Sequence, residues 1–330
     1  MAKVKWGIIS TAKIAREHVI PGMLAGDYCD IYAIASRDIE RAQQVAQQLS
    51  IPNVYGSYEE LLADPDVQAV YNPLPNHLHV SWSIKAAEAG KHILCEKPLG
   101  VDAEEAQKLV DICQEKGVLL MEAFMYRMHP QWVMAKEYVI SGKLGELRAV
   151  HVFFSYMNRD PQNIRNRQDL AGSGGLMDIG CYPISLARFL FDDEPTKAVA
   201  LINRDPDMKI DVLDSAILQF EKGHATFTCS TQLMPYQRVN ILGTEGRFEI
   251  EIPFNAPENN PTNVYYETPD AGIETRTIAT CHQYRIEGDL FSKAILDGTS
   301  VPTPPEDAVA NMNVIDALLR SEQSGTWEVV

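Results

Sequence analysis

The sequence predicts an α/β protein with an N-terminal doubly wound parallel sheet and a C-terminal α+β domain with an open, mainly antiparallel sheet. Short apolar segments alternate with amphipathic segments over the first 120 residues, which is the pattern of parallel strands joined by right-handed crossovers. After about residue 125, strand-like segments follow one another with tight turns, which favours antiparallel pairing. We therefore predict domains at 1–124 and 125–330, with the C-terminal helices free to pack back on the first domain.

The N-terminal elements follow from hydrophobic periodicity and from helix stop signals. Gly90 and Gly117 stand where two of the helices should end before the next strand. The predicted strands lie at 4–10, 30–36, 54–57, 67–72, 92–97 and 118–124. The predicted helices between them lie at 11–24, 37–49, 58–63, 79–90 and 103–117.

The C-terminal half mixes strands with three helices. Turns at 221–224 and 243–246 separate neighbouring strands, and 255–263 is predicted to be an exposed loop. The predicted strands are 147–157, 198–203, 215–221, 224–231, 238–243 and 247–252. The predicted helices are 176–190, 287–298 and 306–323.

Composition excludes several classes of protein. The 330 residues carry a formal net charge of −16, which argues against a nucleic-acid surface. No apolar run reaches the roughly 18 residues of a membrane span, and charged residues interrupt the N-terminus too early for a signal peptide, so we expect a cytoplasmic protein. No CxxC pair occurs, and we expect reduced thiols and no metal. The cysteines are Cys29, Cys95, Cys113, Cys181, Cys229 and Cys281.

The stretch GIISTAKIA, residues 7–15, has the order strand, small residues, helix that opens a Rossmann-type dinucleotide site. Ser10, Ala12 and Ala15 stand where such a loop has glycines. Close approach of a pyrophosphate stays open if the loop avoids positive φ, and the helix N-terminus still offers N–H groups to an anion. A plain strand–helix corner is the alternative. The expected contacts are Ser10, Thr11, Ala12 and Ile14.

The end of the second strand carries Ser36 and Arg37, where an Asp or Glu would favour a free ribose 2′-hydroxyl. A hydroxyl and a guanidinium suit a 2′-phosphate, so the sequence indicates NADP, with NAD as the alternative. Arg41 lies one turn further on. The competing interpretation is a helix N-cap formed by Ser36 or Asp38 beside a solvated arginine.

Four motifs together resemble the Gfo/Idh/MocA oxidoreductase family, most closely its dimeric dihydrodiol dehydrogenase and D-xylose dehydrogenase branch. They are EKP after the fifth strand, YNPLPNHLH at 71–79, MEAFMYRMHP at 121–130 and GGLMDIGCYP at 174–183. Their order and spacing fit along nearly the whole chain. The resemblance also implies that the 7–15 loop is a nucleotide site, although many members begin GIIGTGxIA.

Within that resemblance, Lys97 matches the lysine beside the reactive carbon, and Asp178 and Tyr182 match an acid followed four residues later by Tyr or His. A tyrosine base needs a nearby cation because its ordinary pKa is about 10. We therefore expect Tyr182 to be the general acid/base, Lys97 to lower its pKa and polarise the substrate oxygen, and Asp178 to orient Lys97 or a substrate hydroxyl. The alternatives are a first-turn acid, a core aromatic and an exposed lysine.

The resemblance implies further contacts and a substrate class. The activity expected is hydride transfer between the nicotinamide and a secondary alcohol of a sugar, cyclitol or trans-dihydrodiol. The alternatives are a cofactor-retaining glycoside hydrolase and a nucleotide-sensing regulator. We expect a homodimer or homotetramer, and no metal at His77 and His79. Further cofactor contacts are expected at Asn72, Pro73, Leu74, Asn76, His79 and Glu96. Substrate contacts are expected at Tyr126, Arg127, Phe154, Tyr156, Arg165 and Arg167.

Overall fold

The computed structural model describes residues 2–330, and these form two compact units. Unit 1 comprises the chain up to residue 125 together with 282–309. Unit 2 comprises 126–281 together with 310–330.

Both units contain strands and short helical turns. The strands are β1 (Val4–Ile9), β2 (Cys29–Ala35), β3 (Asn53–Tyr55), β4 (Ala69–Asn72), β5 (His92–Glu96), β6 (Leu120–Ala123), β7 (Leu147–Met157), β8 (Lys197–Arg204), β9 (Asp211–Gln219), β10 (His224–Ser230), β11 (Gln232–Gly243), β12 (Arg247–Ile250), β13 (Thr262–Thr268), β14 (Gly272–Ile278) and β15 (Glu328–Val329). Short π-helical turns span Ala15–Val19 and Leu176–Gly180, and 3₁₀ turns span Asn76–Leu78, Met125–Met128 and Ile164–Asn166.

Several of the α-helices are capped by polar residues that the sequence offers for this purpose. Asp102 accepts a hydrogen bond from the Glu105 N–H at the start of one helix, and Gly117 ends that helix in the left-handed conformation. The helices are α1 (Ile20–Leu24), α2 (Ile39–Leu49), α3 (Tyr58–Ala63), α4 (His79–Glu88), α5 (Ala103–Lys116), α6 (Pro130–Ile140), α7 (Cys181–Phe191), α8 (Gln283–Asp297) and α9 (Glu306–Ser324).

The sheet of unit 1 is fully parallel, with strand order β3-β2-β1-β4-β5-β6 across residues 2–125. This confirms the doubly wound prediction. Helix α8 packs against β1: the Trp6 indole N–H donates to Ser292 Oγ at 3.0 Å, and its ring lies 5.5 Å from that of Phe291. Both aromatic rings are fully buried, so α8 is part of the core of this unit.

The sheet of unit 2 has the order β14-β13-β12-β11-β7-β10-β9-β8-β15 within the described part of the chain. Its neighbours are antiparallel except for β10 and β7, which run parallel, so the predicted mainly antiparallel sheet is confirmed. Inward-facing residues of β7 and β10, among them Val152 and Phe227, are buried. The π-helical turn Leu176–Gly180 packs on β9 and β10.

Several elements differ from the sequence-based expectation. β13 and β14 were not predicted, because Asn, Glu, Thr and Arg side chains break the apolar alternation and β14 is largely exposed. α6 was not predicted either, although Pro130 at its first position, with the His129 ring accepting a hydrogen bond from the Gln131 N–H, is a recognisable start signal. α8 begins at Gln283, four residues earlier than the predicted start at 287.

The outer face of the unit 2 sheet carries apolar side chains. Leu201 is 72 % exposed, and Ile217 on the neighbouring strand is also exposed. These side chains border a shallow groove of about 340 Å³ that runs across β8, β9, β10 and β7 as far as His151.

Two further findings concern residues 2–330 as a whole. None of their helices is long and apolar enough to cross a membrane, and they contain no group of three or more His, Cys, Asp or Glu side chains arranged to hold a metal ion. All six cysteines are free thiols.

Candidate active site

The loop after β1 adopts the backbone conformation that the missing glycine would have supplied. Ser10 has φ +79°, in the left-handed region, and its N–H donates to the Ala35 carbonyl at 2.9 Å. Ser10 Oγ accepts from the Ala12 N–H at 3.3 Å, and the Thr11 carbonyl accepts from Arg16 Nε at 3.1 Å. Ser10 thus has the positive φ whose avoidance was the condition set for close approach of a pyrophosphate, and a serine held by its own side chain makes the turn that a glycine would otherwise make.

A π-helical turn and α1 follow this loop, and π-helical turns are frequent at functional sites. Thr11 is buried, whereas Ala12 and Ile14 are half-buried at the beginning of the helical segment. The backbone N–H groups at such a beginning attract anions.

At the end of β2, the N-cap is Asp38. Its carboxylate accepts from the Arg41 N–H at 3.1 Å, while the buried Ser36 Oγ accepts from the Asp38 N–H at 3.2 Å. Arg37 and Arg41 are exposed, which leaves their guanidinium groups accessible to an anion. Burial raises the pKa of Tyr58, and the charge of the adjacent Arg37 partly offsets that rise.

The loop after β4 is fixed by buried side chains. Asn72 Nδ2 donates to the His79 carbonyl and to Ser83 Oγ, each at 3.0 Å, and Asn72 Oδ1 accepts from the Leu74 N–H at 3.3 Å. Pro73 and Leu74 are buried, while Asn76 is half-buried in the 3₁₀ turn that follows. The hydrogen bonds of the Asn72 side chain thus fix the conformation of the loop after β4.

His79 joins that loop to the loop after β5. Its Nδ1 lies 2.8 Å from the Pro98 carbonyl and its Nε2 lies 2.6 Å from the Leu74 carbonyl. Burial lowers the pKa of His79 to about 4, so at pH 7 the neutral ring donates to one of the two carbonyls at a time. His79 therefore positions the segment that carries Lys97.

Glu96 is the last residue of β5 and Lys97 follows it, and both are half-buried. Glu96 Oε1 accepts from the Tyr71 hydroxyl at 2.6 Å. Because parallel strands of one sheet end at one edge, the loops after β1, β2, β4 and β5 all lie at the carboxyl edge of this sheet.

A nicotinamide dinucleotide fits this edge of unit 1. Ser10 supplies the tight turn, the helical segment after it supplies N–H groups, and Arg37 and Arg41 supply local positive charge in a chain of net charge −16.

In unit 2, Asp178 is the centre of a polar cluster. Arg165 Nε donates to its Oδ1 at 2.6 Å, and the Tyr156 hydroxyl donates to its Oδ2 at 2.5 Å. Asp178 lies in the first turn of the π-helical segment Leu176–Gly180 and is buried, whereas the Arg165 side chain is 44 % exposed. The structure thus brings together Asp178, which was expected to be catalytic, and Tyr156 and Arg165, which were expected to contact the substrate.

Tyr182 lies within an aromatic cluster of unit 2. Its ring centroid is 5.8 Å from that of Tyr126, 5.7 Å from that of Phe154 and 5.1 Å from that of Phe254. Phe254 was missed by the sequence analysis because it directly precedes a stretch interpreted as an exposed loop, yet it is fully buried. The buried rings limit the orientations open to Tyr182.

Two further expected substrate contacts, Arg127 and Arg167, also make hydrogen bonds within the protein. Arg127 is buried and its Nη2 donates to Ser185 Oγ at 2.8 Å and to the Ser185 carbonyl at 3.0 Å. Arg167 is exposed and forms a two-fold ion pair with Asp169. The predicted roles of both arginines in substrate binding remain predictions.

Comparison with known proteins decides the family. The family model GFO_IDH_MocA, an oxidoreductase family with an NAD-binding Rossmann fold, matches residues 4–124, and the GFO/IDH/MocA C-terminal domain matches residues 132–249. D-xylose 1-dehydrogenase (NADP(+)) 2 of Haloferax volcanii is 40% identical over 97% of this chain and 98% of its own. This protein belongs to the Gfo/Idh/MocA oxidoreductase family.

Two more relatives of this oxidoreductase are informative. Trans-1,2-dihydrobenzene-1,2-diol dehydrogenase of Mus musculus is 32% identical over 75% of this chain and 74% of its own. The crystal structure of KijD10, a 3-ketoreductase from Actinomadura kijaniata in complex with NADP and TDP-benzene, has a TM-score of 0.90 and 30% identity, and the match covers 97% of this chain and 98% of KijD10. The predicted family, enzyme class and nicotinamide-dinucleotide fold are confirmed.

We predict that Ser10 tolerates glycine but not a β-branched residue. Ser10→Gly relieves left-handed strain of about 1–2 kcal/mol and adds unfolded-chain entropy that offsets about 0.5–1 kcal/mol, so the free energy of unfolding should change little. Ser10→Val should lower it by about 2 kcal/mol and weaken NADPH binding. Denaturant unfolding and a fluorescence titration with NADPH measure the two effects.

Ser50 is the matched control, because it has φ +57° at the C-terminus of α2. Ser50→Val should lower the unfolding free energy similarly and leave NADPH affinity unchanged. Equal NADPH affinity in Ser10→Val and the parent protein would contradict a role of the Ser10 conformation in nucleotide binding.

Proposed function

We propose that this oxidoreductase is an NADP(H)-dependent dehydrogenase that transfers a hydride between the nicotinamide and a secondary alcohol or carbonyl of a sugar, cyclitol or trans-dihydrodiol. The observation that carries the proposal is the Asp178 carboxylate, held by Arg165 and Tyr156 one helical turn before Tyr182. The names of the relatives support the substrate class, since they include a D-xylose dehydrogenase and a dihydrodiol dehydrogenase.

The chemistry divides between hydride and proton. A bound nicotinamide supplies the hydride acceptor or donor. Tyr182 takes the proton of the substrate hydroxyl during oxidation and returns it during reduction, and its orientation is limited by Phe154 and Phe254. The ammonium group of Lys97 polarises the substrate oxygen. Both residues keep the roles that the sequence motifs imply.

Asp178 is proposed to orient a substrate hydroxyl. Arg165 and Tyr156 each occupy one of its oxygens, but a carboxylate has about four lone-pair positions and can accept further hydrogen bonds. Arg165 is an exposed residue and Tyr156 a half-buried one, and a guanidinium and a hydroxyl are donors suited to a polyol.

The catalytic assignment predicts that Tyr182→Phe and Lys97→Ala each lower kcat by about 100-fold or more, because each removes a group that acts on the reacting oxygen. The measurement is nicotinamide absorbance with NADP⁺ or NAD⁺ against aldoses, inositols and a trans-dihydrodiol, and NADPH binding should persist in both variants. Tyr138→Phe is the control, since Tyr138 is an equally buried tyrosine that packs on Phe248 and Tyr266.

Full turnover in Tyr182→Phe would contradict the assignment. Turnover of a glycoside without net nicotinamide reduction would favour a cofactor-retaining hydrolase. NADPH binding with no turnover of any compound would favour a nucleotide-sensing regulator.

The proposed preference for NADP predicts that replacing Arg37 shifts the cofactor preference towards NAD. Removing the Arg37 guanidinium should lower the ratio of kcat/KM for NADP⁺ to that for NAD⁺ by about 10- to 100-fold, because a hydrogen bond to a charged group contributes about 1.5–3 kcal/mol. The measurement compares Arg37→Ala with Lys108→Ala, which removes an exposed positive charge from α5. An unchanged ratio in Arg37→Ala would contradict the proposed 2′-phosphate contact.

We also propose that the outer face of the unit 2 sheet is covered by the same face of a second copy. The exposed Leu201 and Ile217 and the groove beside them form an apolar patch on an otherwise acidic protein, and burying it twice would remove apolar surface from water. A face that pairs with itself produces a two-fold symmetric dimer.

Assembly is tested by light scattering of Leu201→Glu. We expect the parent protein to be a dimer or a tetramer at micromolar concentration, and Leu201→Glu to be a monomer or a dimer, respectively. The reason is that a buried carboxylate in an apolar interface is strongly unfavourable. Ile140→Glu on α6 is the control, since Ile140 is 73 % exposed and lies outside the sheet. A monomeric parent protein would contradict the proposal.

A further inference from the structure

Two aspartates lie buried beneath the start of the helix that carries Asp178, and the proposed chemistry does not use them. Asp211 and Asp214 belong to β9 and are 5 % and 1 % exposed. Buried carboxyl groups are rare unless a neighbour binds them, so their surroundings indicate what they do.

Both carboxyl groups lie against the backbone of the turn Gly174–Leu176. The Leu176 N–H donates to Asp211 Oδ2 at 2.6 Å. A Cβ on Gly174 would lie 1.9 Å from Asp211 Oδ1, and a Cβ on Gly175 would lie 3.0 Å from Asp214 Oδ2. Gly174 also has φ +104°, so a side chain is excluded there by conformation and by the carboxylate.

The same turn holds the polar cluster in place. The Gly174 N–H donates to the Arg165 carbonyl at 2.9 Å, and the Asp178 N–H donates to the Gly174 carbonyl at 3.1 Å. Since Arg165 also binds the Asp178 carboxylate, the backbone and side chains of these residues form one closed network. Asp211 attaches that network to β9.

The groups around Asp211 and Asp214 favour a state in which the two carboxyl groups together carry one negative charge. Arg204 Nη1 lies 3.9 Å from Asp211 Oδ1 and is itself paired with Glu322, and the Cys229 thiol lies 3.6 Å from Asp214 Oδ2. Burial and the neighbouring Asp211 raise the pKa of Asp214 to about 9. Burial also raises the pKa of Asp211, opposed by the Leu176 N–H and by Arg204, and burial keeps Cys229 a thiol.

We propose that Asp211 and Asp214 are positioning residues that carry one proton between them and anchor the Gly174–Leu176 turn, so that Asp178 and Arg165 are held in the arrangement that the reaction needs. In this arrangement Asp211 is the charged acceptor of the Leu176 N–H, and Asp214 is the neutral partner. The catalytic part of the inference rests on the proposed dehydrogenase function, whereas the anchoring part does not.

The first test compares acceptor-free and acceptor-retaining variants. Asp211→Leu removes the acceptor of the Leu176 N–H, so we expect kcat to fall at least about 10-fold with NADPH affinity unchanged and faster hydrogen exchange over residues 174–178. Asp211→Asn retains a carbonyl oxygen and should restore most of both properties. Asp207→Asn, an exposed aspartate just before β9, should match the parent protein.

The second test uses pH. The raised pKa of Asp214 means that it is protonated in the folded protein and ionised in the unfolded chain between its ordinary pKa and about 9, so its contribution to stability declines as pH rises through that window and is lost above it. In the folded protein, ionisation near pH 9 places two carboxylates side by side. Asp214→Asn should therefore remove a decline in kcat for alcohol oxidation between pH 8 and 10. It should also remove a loss of protection over 174–178 in the same range, measured relative to the intrinsic base-catalysed exchange rate.

Several outcomes would overturn the proposal. They are parent-like kcat and exchange in Asp211→Leu, no recovery in Asp211→Asn relative to Asp211→Leu, and an unchanged alkaline decline in Asp214→Asn. If Asp211→Leu does not fold, the pH dependence of kcat and of hydrogen exchange over residues 174–178 in Asp214→Asn, compared with Asp207→Asn, decides. If the parent protein turns over none of the alcohols, the dehydrogenase proposal fails, and hydrogen exchange alone decides whether the pair anchors the turn.

Discussion

The parallel pairing of β1, β2, β4 and β5 is the constraint on which the nucleotide side of this protein depends. Parallel neighbours need crossover connections, so their carboxyl ends share one edge of the sheet and their loops converge there. Loops that converge without regular structure must satisfy their polar groups in other ways. Asn72 and His79 do this for the loops after β4 and β5, and they thereby place Leu74 and Lys97 with few degrees of freedom.

In unit 2, carboxylates satisfy polar groups that would otherwise lack a hydrogen-bond partner. Asp178 accepts from two side chains and Asp211 from a backbone N–H, and each carboxylate replaces solvent that the fold has excluded. A fixed acceptor of this kind needs no reorganisation when a substrate hydroxyl approaches, which is the physical basis of electrostatic preorganisation. The aromatic cluster around Tyr182 contributes rigidity by packing.

The local pattern of apolar and polar residues predicted much of this architecture. The features that it did not predict depend on the surroundings of individual side chains. The alternating strands and helices of unit 1 and the Asp178–Tyr182 spacing are visible in the sequence because they depend on neighbours along the chain. The φ of Ser10, the burial of Phe254 and the Ser185 partner of Arg127 depend on contacts that are distant in sequence. β13 and β14 were missed since their side chains carry little apolar alternation, although their backbone pairing is regular.

The contact between Gly174 and Asp211 couples two positions that are 37 residues apart in the chain. Any side chain at 174 would collide with the carboxylate and would also be strained by the φ of +104°, whereas a shorter residue at 211 would remove the collision and the acceptor but not the strain. A side chain at 174 therefore requires both a change at 211 and a different backbone conformation of the turn. Among homologous sequences, glycine at one position and aspartate at the other should be inherited as a unit, and their joint loss would mark lineages in which the helix that carries the acid is supported differently.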